Sequence, residues 1–171
     1  MRTIHRAILA SWIGLALAGT AIGGPLEDGR AAFDRGDFAA AAKSFRISAD
    51  EGNSFAQYNL AVLYDEGKGV AVDDAEALRW YRLAAAQGNA SAQTNLGIMY
   101  FRGEGVAKNA VEAVKWYRLA AAQSDATAQF NLGLMYDLGE GVAMDPVEAV
   151  KWYRLAAAQG NENAKLRLAG R

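Results

Sequence analysis

Apolar residues in this chain recur at helical intervals, and the intervals themselves recur. Ala56, Leu60, Leu63 and Tyr64 fall on one side of a helix with 3.6 residues per turn. A second stripe follows at Ala77, Trp80, Tyr81 and Ala84. Between them Gly67-Lys68-Gly69 breaks the pattern, because glycine readily takes the backbone conformations that end a helix. The predicted unit is helix, glycine turn, helix. Start signals mark the second helix. Asp145-Pro146-Val147-Glu148 supplies an N-cap acceptor, a proline at the first helical position and a glutamate placed to cap reciprocally. Asp73 with Glu76, and Asn109 with Glu112, repeat the arrangement. Gly88 and Gly160 stand where a left-handed residue closes a helix, whereas Ser124 holds the equivalent place and predicts a slightly less stable junction.

The tripeptide Trp-Tyr-Arg begins at Trp80, Trp116 and Trp152, at intervals of 36 residues. The same period relates Asn59, Asn95 and Asn131, then Tyr64, Tyr100 and Tyr136, and each pair of turn glycines. Three full units run Ala56–Ser91, Ala92–Thr127 and Ala128–Asn163. One helix pair of this size cannot bury its apolar face alone, so stacked pairs bury each other's in a quasi-one-dimensional solenoid. The ends differ from the middle. Residues 24–55 are expected to form a leading helix pair with a tight Gly36-Asp37-Phe38 turn, and residues 164–171 a short basic helix that caps the last unit.

The unit Ala-Gln-x-Asn-Leu-Gly-x-x-Tyr-x-x-Gly-x-Gly-Val, followed by Glu-Ala, Trp-Tyr-x-x-Ala-Ala and Gly, resembles the Sel1-like repeat (SLR), a subclass of tetratricopeptide-like repeats. The resemblance covers Ala56 to Asn163 in three copies. Ala61 departs from it where Gly97 and Gly133 keep the glycine, and the leading Gly36-Asp37-Phe38 looks more like an ordinary tetratricopeptide turn. It implies an all-α, right-handed superhelical solenoid of antiparallel helix pairs, with a role in protein–protein contact or complex assembly. No particular partner follows from it, since function resides in sites rather than folds.

The first residues follow a different pattern. A basic start at Arg2, His5 and Arg6 leads into an apolar run to about Ala18, then small residues through Gly23. That order predicts a secretory signal peptide over residues 1–23, cleaved near Ala21 or Gly23. The apolar run is short of the roughly 20 residues a membrane span needs, so no stable membrane insertion is expected after cleavage. Location in the periplasm or the medium is expected. The chain's composition, 52% hydrophobic and 22% charged, is that of a globular protein. Loss of Arg2 and Arg6 would take the formal charge from −1 to −3, which gives no electrostatic reason to seek nucleic acid.

His5 is the only histidine and there is no cysteine, so the expected mature chain has neither imidazole nor thiol. Ser-His and Cys-His nucleophiles, disulfides and the usual zinc ligand sets are thereby excluded, and no cofactor or metal is expected. Glu76, Glu112 and Glu148 recur with the architecture and are read as capping partners rather than catalytic acids. Trp80, Trp116 and Trp152, each beside a tyrosine, are read as inter-repeat core. The basic pairs Arg79/Arg82, Lys115/Arg118 and Lys151/Arg154 are read as a solvated outer face. Asn59, Asn95 and Asn131 either tie one repeat to the next or, as the tetratricopeptide resemblance implies, bond a bound peptide's backbone.

Specific function is expected where the units differ on the first-helix face. The differing sets are Tyr58/Thr94/Phe130, Asp65/Phe101/Asp137 and Glu66/Arg102/Leu138. Aromatic residues and arginine are the usual anchors of binding surfaces. Tyr58, Asn59, Asn95, Phe101, Arg102, Phe130, Asn131 and Leu138 are therefore the candidate partner-binding residues. The mature chain is expected to be an exported, non-enzymatic adaptor for a protein or peptide, with a part in envelope regulation or assembly. A cell-wall-directed hydrolase and a purely structural scaffold stand as alternatives, and the oligomeric state is left open.

Overall fold

Eight of the nine helices among the described residues begin where a side chain takes up a free amide of the first turn. The computed structural model describes residues 23–170, and the signal peptide expected over residues 1–23 lies, apart from Gly23, outside the described residues. Among the described residues there are nine helices and no strand. Helices α1 (Pro25–Asp34) and α2 (Phe38–Asp50) form a leading pair joined by a three-residue turn. Three repeats follow: α3 (Ser54–Glu66) with α4 (Asp74–Ala86), α5 (Ala90–Arg102) with α6 (Ala110–Ala122), and α7 (Ala126–Leu138) with α8 (Pro146–Ala158). Helix α9 (Glu162–Ala169) packs on α8.

Asn53, Asn89, Asp125 and Asn161 cap α3, α5, α7 and α9, each accepting the amide three residues on at 2.8–3.0 Å. Asp73, Asn109 and Asp145 cap α4, α6 and α8 in the same way. The reciprocal half of the expected capping box is absent. The backbone N–H of Asp73 donates to the Tyr64 carbonyl at 3.1 Å, that of Asn109 to Tyr100 at 2.7 Å and that of Asp145 to Tyr136 at 2.9 Å. The turn folds back far enough for the first helix to satisfy the cap's own amide, so the glutamates are released for other work. Glu76 accepts the Trp80 indole N–H at 2.9 Å and faces Arg46 at 3.4 Å. Glu112 and Glu148 instead pair with Lys115 and Lys151, one turn along.

The two glycines of each turn do different jobs. Gly103, at φ +81°, is the left-handed residue that ends α5. Gly105 is also left-handed, and a Cβ there would lie 2.5 Å from the Asp74 carbonyl of the preceding repeat. The first glycine terminates a helix, and the second lets neighbouring repeats touch through bare backbone. Between α6 and α7 Ser124 adopts φ +66° and is the one non-glycine residue with positive φ among the described residues.

Each helix packs chiefly on its sequence neighbours, as stacked pairs must. Tyr81, Tyr117 and Tyr153 are buried along the centre, and Trp80 with them. Trp116 and Trp152 are only half-buried, so the tryptophans belong to the core unequally. Two sets of polar rungs join consecutive repeats. Buried Gln57, Gln93 and Gln129 donate Nε2 to the carbonyls of Ala49, Ala85 and Ala121 in the previous repeat's second helix, at 3.1–3.3 Å. Their Oε1 atoms accept from Gln87, Gln123 and Gln159 at the end of their own repeat's second helix, each at 2.8 Å. On the other set Arg46, Arg82 and Arg118 donate to the hydroxyls of Tyr64, Tyr100 and Tyr136 at 2.6, 2.8 and 3.0 Å. Arg82 and Arg118 lie on an exposed face, as expected, and are in addition cross-repeat ties.

Two substitutions probe these joints. A left-handed conformation costs a non-glycine residue roughly 1–2 kcal/mol, part of which glycine's greater unfolded-state freedom cancels. Ser124→Gly is expected to raise stability by about 0.5–1 kcal/mol in urea denaturation. Gln93→Leu is expected to lower it by roughly 1–3 kcal/mol, because the rung's buried polar partners lose their bonds. A Gln93→Leu protein with an unchanged denaturation midpoint would mean that the rungs are incidental.

Candidate functional site

The positions left free by caps, turns and rungs do not scatter evenly. Helices α5 and α7 enclose a cleft of about 380 Å³, to which α5 contributes Phe101 and Arg102, α7 contributes Phe130 and Asn131, and α6 contributes Tyr117. Four of the sequence-predicted binding residues are therefore gathered in one place. Phe130 is half-buried with its ring 5.7 Å from that of Tyr153, so it serves packing and cleft at once. Lys108 Nζ lies 5.2 Å from the centre of the Phe101 ring.

The remaining candidates lie elsewhere. Asn95 opens onto an adjoining cleft of about 310 Å³ with Asp65, Asp74 and Glu104, and Arg102 borders both clefts. Asn59 lies at a smaller cleft of about 200 Å³ near the start of the solenoid, with Arg30, Phe33 and Phe55. Tyr58 is half-buried against the Tyr81 ring, 6.0 Å between centres, and belongs to the packing. Leu138 is 54% exposed and lines none of these clefts. The three equivalent asparagines also separate. Asn59 Nδ2 donates to the Phe55 carbonyl of its own helix at 2.8 Å, while Asn95 Nδ2 donates to the Tyr81 hydroxyl of the previous repeat at 2.9 Å. Asn131 lines the α5–α7 cleft.

The Asn95 bond is one end of a chain. The Tyr81 hydroxyl donates to Asp65 Oδ2 at 3.2 Å, and the Tyr153 hydroxyl donates to Asp137 Oδ2 at the same distance. In the middle repeat the acceptor position is Phe101, and Tyr117 meets no carboxylate there. Burial raises the Tyr81 and Tyr117 hydroxyls well above the ordinary phenol range, with Arg102 working against the shift at Tyr117. Burial also raises the Asp65 carboxyl, opposed by the Tyr81 hydrogen bond and reinforced by Glu104 and Asp74 nearby. The comparison of Asp65, Phe101 and Asp137 singles out this position in the sequence, but gives no sign that its partner is a tyrosine sixteen residues on. Asn161 and Asn163 also line the α5–α7 cleft; the first repeats the N-cap position of Asn53, Asn89 and Asp125, and the second stands where the other units have Phe55, Ser91 and Thr127.

Among the described residues no group of three or more His, Cys, Asp or Glu could hold a metal ion, and no helix is long and apolar enough to cross a membrane.

Residues 54–89, 90–125 and 126–161 match the Sel1 repeat. A Sel1 repeat protein from Oxalobacter formigenes superposes with a TM-score of 0.77 and 39% identity, over 81% of this chain and 57% of its own. A protective antigen of uropathogenic Escherichia coli that displays an SLR fold superposes with a TM-score of 0.75 and 42% identity, over 78% of this chain and 28% of its own. This chain thus spans little more than half of one and under a third of the other. Helicobacter pylori cysteine rich protein B shares the fold at 20% identity and a TM-score of 0.57, covering 81% of this chain and 92% of that one. Curated proteins give no significant match. The architecture is that of an SLR superhelical solenoid.

The raised Asp65 carboxyl has a testable sign. Its neutral form is the one the fold prefers, so the stability it supports is complete below the ordinary carboxyl value of about 4 and falls as pH rises through the raised value. Asp65→Asn removes that fall. Urea midpoints measured from pH 3 to pH 7 are expected to show the variant gaining on the wild type as pH rises, and parallel profiles would contradict the assignment.

Proposed function

The chain belongs to the Sel1-repeat family, and on that footing we propose that it is an exported, non-enzymatic adaptor that grips a segment of a partner protein in the α5–α7 cleft. Sel1 repeats are in general protein-interaction scaffolds. The observation that carries the narrower reading is convergence. Phe101, Arg102 and Phe130 vary between repeats and meet in one concavity with Asn131, Arg102 also pairing with Glu104 of the following turn. Aromatic surface gives large contact area at small entropic cost, and an arginine beside it supplies directional donors. The rungs hold consecutive second helices in register, so the first helices that border the cleft are presented on a stiff frame. A preorganised surface loses little entropy on binding.

Export rests on the basic, apolar and small-residue order of residues 1–23, and a role in envelope regulation or assembly is proposed with it. Beyond that segment the chain offers no imidazole and no thiol, which supports binding over hydrolysis.

Purified protein used as bait on envelope extracts is expected to retain a defined partner that a Phe101→Ala/Arg102→Ala variant loses by at least tenfold. Circular dichroism should show the variant still helical. Equal recovery by bait and variant would move the binding surface away from this cleft.

A further inference from the structure

The middle repeat departs from its neighbours at one hydrogen bond, and the departure opens onto the cleft. Tyr81 and Tyr153 deliver their hydroxyls to Asp65 and Asp137. Phe101 stands at the corresponding place, and a phenyl ring accepts no such bond. The Tyr117 ring cannot swing away to find another acceptor. It is 2% exposed and packed so closely on Gly97 that a Cβ there would come within 2.5 Å of its Cε1. Tyr117 lines the cleft instead, in company with the side-chain amides of Asn131, Asn161 and Asn163.

The charge of that lining is one-sided. The Tyr117 phenol and the amides of Asn131 and Asn163 can donate, while Asn161 is engaged as the α9 cap and with the Ala126 carbonyl; Arg102 is the one charged residue among the described lining residues, and no carboxylate lines the cleft. Lys108, over the Phe101 ring, adds positive charge beside it. Phe101 and Phe130 provide apolar surface next to the donors. The adjoining cleft, which Arg102 also borders, is lined by Asp65, Asp74 and Glu104, and Arg102 pairs with Glu104 at 3.5 Å while its side chain stays 62% exposed. An anionic group is attracted on the Tyr117 side of Arg102 and repelled on the other, which fixes the register of whatever binds. A carboxylate accepting from a phenol and a guanidinium makes charge-assisted bonds, the strong kind in a partly desolvated site.

We propose that Tyr117, which lines the cleft without the carboxylate its counterparts meet, is the hydrogen-bond anchor for an acidic side chain carried beside an apolar residue in an extended segment of the partner. The inference rests on the reading of the α5–α7 cleft as the partner site. The donors come from α5, α6, α7 and the start of α9, a span that suits a segment running through the cleft.

The test uses fluorescein-labelled peptides of sequence Gly-Ser-Leu-Asp-Phe-Ser-Gly, with versions carrying Lys or Asn in place of Asp, titrated with the full chain by fluorescence anisotropy. The Asp peptide is expected to bind at least about tenfold more tightly than the Lys peptide, the worth of one hydrogen bond to a charged group. Tyr117→Phe keeps the packed ring and is expected to abolish most of that preference while leaving binding of the Asn peptide nearly unchanged. Phe101→Asp, which recreates the pair seen at Tyr81 and Tyr153, is expected to remove binding of the Asp peptide while circular dichroism shows the helices intact. Should Phe101→Asp fail to fold, Tyr117→Phe decides alone. Equal affinities for the Asp and Lys peptides, no saturable binding of the Asp peptide at millimolar concentration, or an unaltered preference in Tyr117→Phe would each overturn the inference. If a captured partner still depends on Phe101 and Arg102 under those outcomes, the cleft remains the partner site and only its proposed chemistry fails.

Discussion

A buried amide with two obligations sets the geometry of this solenoid. Gln93 must donate to Ala85 in the repeat before it and accept from Gln123 in its own, and Gln57 and Gln129 are bound in the same way. A buried amide left half-satisfied costs free energy comparable to a lost hydrogen bond, so the second helices α2, α4, α6 and α8 can stack in only one register. Apolar contacts alone would tolerate sliding and small rotations, because dispersion forces have no direction. The glutamine rungs remove that freedom. Everything on the first-helix face, including which residues border the α5–α7 cleft, is placed by a stack whose increments are fixed on the other side.

The turns complete the same constraint. In each repeat one glycine stops the first helix and the next permits backbone contact with the preceding pair, as Gly105 does at Asp74 and Gly141 at Ala110. The Arg–Tyr rungs add a second line of ties from second helix to following first helix. With spacing fixed by the rungs and approach fixed by the glycines, variation is tolerated at positions belonging to neither. Phe101, Arg102 and Phe130 are such positions, and they are where the units diverge.

Much of this was legible in the sequence, and what was not has a common cause. Periodicity is local information, so the helices, the N-caps at Asp73, Asn109 and Asp145, and the left-handed strain at Ser124 could all be read from spacing and residue type. Partnerships across repeats could not. Glu76 looked like half of a capping box because its cap lies three residues away; its actual partner, Trp80, lies on the other side of it, and the cap's amide was already taken by Tyr64. Arg82 and Arg118 are exposed as their spacing implies, but their tyrosine partners lie eighteen residues on, in another helix. For the candidate site, comparing units found Phe101, Arg102 and Phe130, yet the same method promoted Leu138, which lies outside the clefts, and passed over Tyr117 because that tyrosine is identical in every repeat. A residue can be invariant in identity and still differ in role when its neighbour changes.

Ser124 sits at the joint between α6 and α7, and those two helices carry Tyr117 and Phe130 on the border of the cleft. In a linear array stability is summed from units and the interfaces between them, and this joint carries a backbone strain that glycine spares the equivalent ones. A guest lying across α5 and α7 would bridge that joint, so part of its binding energy would go into holding together the two helices that flank it.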